Sequence, residues 1–346
     1  MRPVVVKLGT RLVAGPGGTV RRSLLRARAR EIAELVRAGT PVCVVSSGAI
    51  ALGLPRLGLE RRPRAVPRLQ AASALGQSRL QKAWETALAP EKLAVAQVLL
   101  TAADLAERTA YVNVRNAIVE LFRLGAVPIV NENDATATDE ITFGDNDSLA
   151  AQVAVLARAR LLVLLTEVEG VYSAAPGSPG AELVEEGGRA GGAAFGSGSA
   201  LGRGGMESKV GAAQLAAGAG IPTVIAGGRG ESVLGPIIAG ERRGTRFAPA
   251  ESRESAFKLW LRYCKPIPGR LVVDDGARAA VARGGASLLA AGVVATEGEF
   301  GPGDGVVLVG ANGEEFAKGI AEATPAELAG RPRGVEAVHR DRLLLL

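Results

Sequence analysis

Five short clusters in this chain carry the residue types that position and neutralise anions. In the first, an apolar run, Val127-Pro128-Ile129-Val130, breaks into Asn131-Glu132-Asn133-Asp134, and the same acidic stretch soon reaches Gly144-Asp145-Asn146-Asp147. Val4-Val5-Val6 runs into Lys7-Leu8-Gly9-Thr10, Val42 to Val45 into Ser46-Ser47-Gly48, and Leu161 to Leu165 into Thr166-Glu167. The fifth, Gly204-Gly205-Met206-Glu207-Ser208-Lys209, opens a helical pattern. In an open α/β sheet the carboxyl ends of the strands face the crevice where ligands bind. The clusters therefore describe either one such crevice or a set of turn-rich surface loops, because Asn, Asp and Gly also favour turns.

Phosphate chemistry suits these residues. A glycine pair at a helix start lets backbone N–H groups approach a phosphate, and the helix dipole with a nearby ammonium favours negative charge there. Lys209 would supply the ammonium. Only seven of the 41 basic residues are lysines (7, 82, 92, 209, 258, 265 and 318), so a lysine at a strand end is a less casual choice. Plainer roles exist for each, a snorkelling strand-end side chain for Lys7 and a solvated helix residue for Lys209. Neither the Walker A spacing nor a Gly-x-Gly-x-x-Gly after the first strand is present, so the two common nucleotide fingerprints are excluded. The single histidine, His339, lies near the C-terminus and leaves little room for imidazole acid-base chemistry or a His-containing zinc site. What remains is a nucleotide held by a different α/β scaffold, with two lysines neutralising phosphates as phosphoryl transfer requires.

The elements that must position these residues alternate. Helical periodicity is read over residues 23–38, 67–87, 113–124, 148–157 and 206–217, and strands over 42–45, 93–99, 161–165 and 221–226, the last closing the sheet. Such alternation predicts parallel βαβ units with right-handed crossovers. Residues 177–205, rich in Gly and Ser, read as a mobile loop or lid, either functional or disordered. The length of 346 residues predicts two domains. They are expected at 1–244 and 258–342, joined by a polar linker over 245–257. Beyond Phe257, short segments such as 269–274 and 305–310 between Gly-rich turns read as a small β-barrel.

Composition narrows the class further. The chain is 47% hydrophobic with 3% aromatics, an α/β composition. No run reaches the roughly 18 apolar residues of a membrane span, and Lys7 and Arg11 interrupt any signal-peptide core, so a cytoplasmic location is expected. Cys43, inside Pro-Val-Cys-Val-Val, reads as part of a buried strand, and with Cys264 far away neither a disulfide nor a metal site is expected. The net charge of +6 is spread over many arginines, which suits anionic small substrates as well as nucleic acid.

Taken in order, the clusters resemble the glutamate 5-kinase family. The matching residues are Val-Val-Val-Lys-Leu-Gly-Thr at 4–10, Ser-Ser-Gly-Ala-Ile at 46–50, Gly-Gln-Ser-Arg-Leu at 76–80 and Val-Pro-Ile-Val-Asn-Glu-Asn-Asp at 127–134. They continue with Gly-Asp-Asn-Asp at 144–147, Leu-Leu-Thr-Glu at 164–167, Gly-Gly-Met-Glu-Ser-Lys at 204–209 and Val-His-Arg-Asp at 338–341. The resemblance implies an amino-acid kinase fold, a mainly parallel sheet between helix layers, followed by a PUA domain. It implies phosphorylation of the side-chain carboxylate of L-glutamate by ATP with Mg²⁺, the ion being held mainly by the ATP phosphates. It further suggests a homo-oligomer and feedback by proline, with RNA binding by the PUA domain a separate possibility.

Site roles follow from the same resemblance. Lys7 and Lys209 would contact phosphates, while Ser47, Asp134 and Asn146 would hold glutamate. Gly9, Thr166 and Glu167, with Arg203, Gly204, Gly205, Met206, Glu207, Ser208 and Lys209, would hold ATP. Glu167 stands where the family pattern has Asp, Arg203 where it has a small hydroxyl residue, and Ser46 where it has Thr. A carboxylate with a pKa of about 4.3 is already ionised at neutral pH, so no general base is needed and the missing histidine ceases to matter. Asp134 is the candidate partner for the substrate ammonium, and Asn146 could bond a carboxylate without adding charge. Asp147 is expected to orient Lys209 or a metal-bound water. Asp145 reads either as a substrate contact or as the cap of the next helix. The competing readings are a kinase for acetylglutamate, aspartate or a nucleoside monophosphate, and an RNA-binding protein acting through the C-terminal domain.

Overall fold

The computed structural model describes residues 2–59, 61–136, 146–188, 205–251, 255–263, 265–283 and 285–346. The chain divides into two compact units, Met1–Arg253 and Glu254–Leu346. In chain order the first contains β1 (Val4–Leu8), α1 (Thr10–Val13), α2 (Arg22–Arg37), β2 (Val42–Ser46), α3 (Ala49–Gly53), α4 (Val66–Leu88), β3 (Val95–Leu100), α5 (Ala102–Ala106) and α6 (Arg108–Arg123). It continues with β4 (Val127–Glu132), α7 (Asn146–Leu156), β5 (Leu161–Thr166), α8 (Met206–Gly218), β6 (Thr223–Gly227), α9 (Leu234–Ala239) and β7 (Thr245–Phe247).

The described strands of this unit form one sheet in the order β3-β4-β2-β1-β5-β6-β7. All neighbours are parallel except β7, which runs antiparallel to β6. β1, β2 and most of β5 are buried on both faces, which is why they appear in the sequence as unbroken apolar runs rather than alternations. Cys43 lies within β2, where burial pushes its thiol up to about 12. One sheet face packs against Leu25, Ile32, Leu80, Trp84 and Leu234. On β1, where the order reverses, β2 and β5 flank the strand from opposite sides, so the carboxyl ends of these three strands bound the switch-point crevice.

A glycine seam fixes α4 against α3. A Cβ on Gly53 would lie 1.8 Å from the Ala72 carbonyl oxygen, and one on Gly76 would lie 1.8 Å from that of Ala49. No side chain fits at either position, so the two helices meet backbone to backbone. Beyond the seam, the Trp84 indole N–H donates to Ser46 Oγ at 2.9 Å and ties the far end of α4 to the end of β2.

Several elements depart from the expectations. α6 begins at Arg108 rather than 113, because the Glu107 carboxylate accepts the N–H groups of Thr109 and Ala110, and α5 precedes it behind a Thr101–Asp104 capping box. The stretch expected to be a linker opens with β7, whose Thr245 hydroxyl donates to the Val184 carbonyl at 2.6 Å and accepts the Val171 N–H at 2.8 Å. A three-residue strand offers no period to read. β7 also pins the start of the Gly- and Ser-rich stretch through the Glu186–Arg246 bridge, and a Tyr172–Leu183 bridge closes the chain just before it. Residues 189–204, with Arg203 and Gly204, lie outside the described residues, as does Asp145.

The second unit contains α10 (Ala256–Tyr263), β8 (Gly269–Val273), α11 (Asp275–Ala282), β9 (Leu288–Leu289), β10 (Val293–Glu297), β11 (Gly305–Val309), β12 (Glu315–Ala321), α12 (Pro325–Leu328) and β13 (Glu336–Leu345). Its described strands form a curled sheet in the order β10-β8-β11-β12-β13-β9 around Leu271, Val306, Leu308, Ala317 and Val338. Register shifts in four of its ladders supply the bending that a flat sheet would lack. No described helix in either unit is long and apolar enough to cross a membrane.

The glycine seam yields a direct test. Gly76→Ala is expected to lower stability by about 2–3 kcal/mol through overpacking, read in thermal denaturation as a fall of about 4–12 °C in Tm.

Candidate functional site

Lys7 sits on the last turn of pleat of β1 and Asp147 in the first turn of α7, the helix that packs across that strand. Lys209 lies in the first turn of α8. All three residues are buried, at 4%, 5% and 8% exposure. Lys7 Nζ stands 2.6 Å from Asp147 Oδ1, and Lys209 Nζ 3.0 Å from Asp147 Oδ2. Lys209 Nζ also donates to the Gly205 carbonyl at 3.0 Å, and the Ser208 hydroxyl reaches Asp147 Oδ2 at 3.5 Å. Counted over these three groups alone, one carboxylate between two ammonium groups leaves a single positive charge in a water-poor setting. Such a centre attracts an anion, and the carboxylate, itself favoured at a helix N-terminus, holds both lysines in place until one arrives.

Glycines shape the backbone around this centre. Gly205, the residue before α8, has φ +90°, and Gly48, between β2 and α3, has φ +120°; both conformations are strained for any side chain. Gly9 caps α1 with φ −69°, so it is not demanded by backbone conformation. A Cβ there would stand 3.9 Å from Lys7 Nζ, so glycine leaves the space beside that ammonium open. Ser47 is buried beside Gly48, with its N–H donating to the Leu8 carbonyl at 3.1 Å.

A second group of buried polar residues continues from the first, since Asn146 precedes Asp147 on α7. The Glu132 backbone N–H donates to Asn146 Oδ1 at 3.3 Å, Asn146 Nδ2 to Asn131 Oδ1 at 3.0 Å, and Asn131 Nδ2 to Gln77 Oε1 at 2.8 Å. The first donor is a backbone amide, so the direction of the whole relay is fixed: each amide must present its oxygen to the preceding donor. Asn146, expected to bond a substrate carboxylate, is thus engaged at both ends of its amide. Asp134, 5% exposed, accepts the Ser73 hydroxyl on Oδ2 at 2.6 Å, while its Oδ1 is buried without a partner among the described residues. Burial raises the Asp134 pKa, against the opposing influence of the Ser73 hydrogen bond and the Arg62 charge.

Sequence reasoning assigned no role to Ser73 or to Gln77, although Gln77 lies within the Gly-Gln-Ser-Arg-Leu match at 76–80. Both lie on α4, one turn apart, where polar side chains resemble a solvated helix face. The available signal was Gly76, a glycine inside a helical pattern, which marks a close approach.

Thr166 and Glu167 end β5 apart from these two groups. The Thr166 carbonyl accepts the Gly228 N–H at 2.8 Å. The Glu167 carboxylate is shared by Arg11, at 3.1 Å, and Arg229. Partial burial would raise its pKa, but the hydrogen bonds and charges of the two arginines outweigh this and lower it. Met206 and Ser208 are half-buried and Glu207 exposed on the first turn of α8. Among the described residues no group of three or more His, Cys, Asp or Glu side chains could hold a metal ion. Asp147 turns one oxygen to each lysine.

Comparison with known proteins covers the whole chain. The amino acid kinase family model matches residues 2–227, and the PUA domain model matches residues 269–340. Glutamate 5-kinase of Pelobacter propionicus is 42% identical over all of this chain and 98% of its own. That of Pseudomonas paraeruginosa is 44% identical over 99% of this chain and 97% of its own. Among solved structures, T. acidophilum isopentenyl phosphate kinase superposes with a TM-score of 0.51 at 19% identity, covering 71% of this chain and 99% of that one. The last likeness concerns the fold alone. The two buried lysines on one carboxylate, at the carboxyl edge of such a sheet, thus occur in a chain that belongs to the glutamate 5-kinase family, an amino acid kinase domain followed by a PUA domain.

Proposed function

We infer that this protein transfers the γ-phosphoryl group of ATP to the side-chain carboxylate of L-glutamate, giving L-glutamyl 5-phosphate and ADP, the first step of proline biosynthesis. The observation that carries the reading is the buried Lys7–Asp147–Lys209 centre, in a chain alike over its whole length to glutamate 5-kinases. An oxygen of the acceptor carboxylate bonds to the γ-phosphorus while the bond to the β-phosphate bridging oxygen breaks, and that oxygen leaves with ADP. The acceptor is already ionised, so no group of the protein has to remove a proton. The obstacle is repulsion between two anions.

Lys7 and Lys209 act on that obstacle by donating to phosphoryl oxygens on which charge builds, and Asp147 keeps their ammonium groups apart and oriented. Gly205 and the start of α8 offer backbone N–H groups to the same phosphates. Asp134 receives the glutamate ammonium on Oδ1, which otherwise stays buried and unbonded. The described residues fit a magnesium ion carried by nucleotide phosphates better than one held by protein carboxylates; when bound, it neutralises charge on those phosphates. Asp134 also favours glutamate over its N-acetylated form, which has no ammonium.

The reading is tested by ATP consumption with L-glutamate, the acyl phosphate being trapped with hydroxylamine; absence of glutamate-dependent hydroxamate would remove it. Lys209→Ala is expected to lower kcat by about 10²–10³-fold with the KM for glutamate near that of the wild type. A change confined to KM would refute the phosphate role. Asp134→Asn is expected to act oppositely on binding and stability. Because burial raises the pKa of Asp134 in the folded state, the free protein binds more protons there than the unfolded chain, so this carboxyl contributes stability as pH falls and withdraws it as pH rises. At neutral pH the asparagine variant should therefore melt higher than the wild type without ligand, yet show a raised KM for glutamate. In the wild type, KM should rise as acid protonates Asp134 at a pH above that of an ordinary aspartate.

A further inference from the structure

We infer that Gln77 is the residue that reads the α-carboxylate of the amino-acid substrate, so that Gln77 and Asp134 together form a receptor for a zwitterionic head group. This rests on the kinase reading above and adds a residue to it. The argument starts from the fixed direction of the amide relay. The Glu132 N–H cannot be exchanged for an acceptor, so Asn146 must turn its oxygen to it, Asn131 its oxygen to Asn146, and Gln77 its oxygen to Asn131. The relay therefore ends on an N–H₂ donor. Gln77 Nε2 is buried, with no partner among the described residues.

That donor is one helical turn from Ser73, whose hydroxyl holds Asp134, and residues four apart on a helix share a face. The fold thus keeps a buried donor without an acceptor close to a buried acceptor without a donor, Asp134 Oδ1. Each such group carries a desolvation penalty of about 1–3 kcal/mol, and the two do not bond to each other. A ligand with an ammonium and a carboxylate on the same carbon would satisfy both at once. An α-amino acid has that head group, whereas a nucleoside monophosphate does not. Asn146, expected from the sequence to bond a substrate carboxylate, becomes the residue that aims Gln77 through Asn131.

The test compares wild type with Gln77→Met, which removes the amide at similar volume, and Gln77→Glu, which keeps an oxygen for Asn131 but removes the donor. Each is assayed for L-glutamate turnover and for competition by 4-aminobutyrate, which is glutamate without its α-carboxylate, and by glutarate, which lacks the ammonium. Both variants are expected to raise the KM for glutamate about 10- to 100-fold, with kcat near wild type. Inhibition by glutarate should weaken by a similar factor, while inhibition by 4-aminobutyrate stays near its wild-type value. The wild-type preference for glutamate over 4-aminobutyrate should shrink accordingly. An unchanged KM for glutamate, or equal weakening of all three ligands with a lowered Tm, would overturn the assignment and leave Gln77 as a packing residue. Wild-type protein without glutamate-dependent turnover would instead overturn the kinase reading itself.

Discussion

Two ammonium groups sharing one carboxylate set the terms for the rest of the catalytic unit. Lys7 comes from the first strand, Asp147 from a helix in mid-chain and Lys209 from another after β5, so the centre exists only once both halves of the sheet have closed around β1. A buried ion pair is a poor source of stability, since desolvation offsets much of the attraction. The surrounding structure must supply that stability, through the apolar burial of β1, β2 and β5. What the triad supplies is position, two cations held a fixed distance apart in a region where charge is felt strongly.

Much of this was legible in the sequence because the central strands are buried on both faces and end in polar residues. Val4 to Leu8 and Leu161 to Thr166 could hardly be read otherwise. The order of the clusters then pointed to Lys7, Asp134, Asp147 and Lys209, and the described structure brings Lys7, Asp147 and Lys209 into contact. What escaped reading lies on α4 and at short elements. Ser73 and Gln77 look like ordinary polar positions of a helix, and only the three-dimensional approach of α4 to β4 gives them partners. β7 was hidden by its length, and its Thr245 bonds join segments that sequence spacing cannot connect. α5 and α12 each carried a capping box, at Thr101–Asp104 and Thr324–Glu327, a signal present in the chain but passed over.

The far side of the crevice, where β5 and β6 end, is held by two kinds of interaction. Buried Arg28 donates to the carbonyls of Gly230 at 2.6 Å and Glu231 at 2.9 Å, and its neighbour Glu31 accepts the N–H groups of Val233 and Leu234. Burial lowers the Arg28 pKa and the Glu31 carboxylate opposes that shift, so the pair anchors the turn after β6 as a dry clamp. Glu167, by contrast, meets Arg11 and Arg229 near the surface, where salt screens such pairs. The Asp-to-Glu departure at position 167 therefore falls at an electrostatically soft edge, next to a rigid one.

The seam of Gly53 and Gly76 also works as a ruler. Ser73 and Gln77 ride on α4 and Asp134 follows β4, whereas Lys7 and Lys209 ride on β1 and α8. How deeply α4 settles onto α3 is fixed by backbone atoms in contact, with no side chain available to adjust it. The placement of Ser73 and Gln77 along α4 therefore depends on two glycines whose nearest neighbours are backbone atoms of the facing helix.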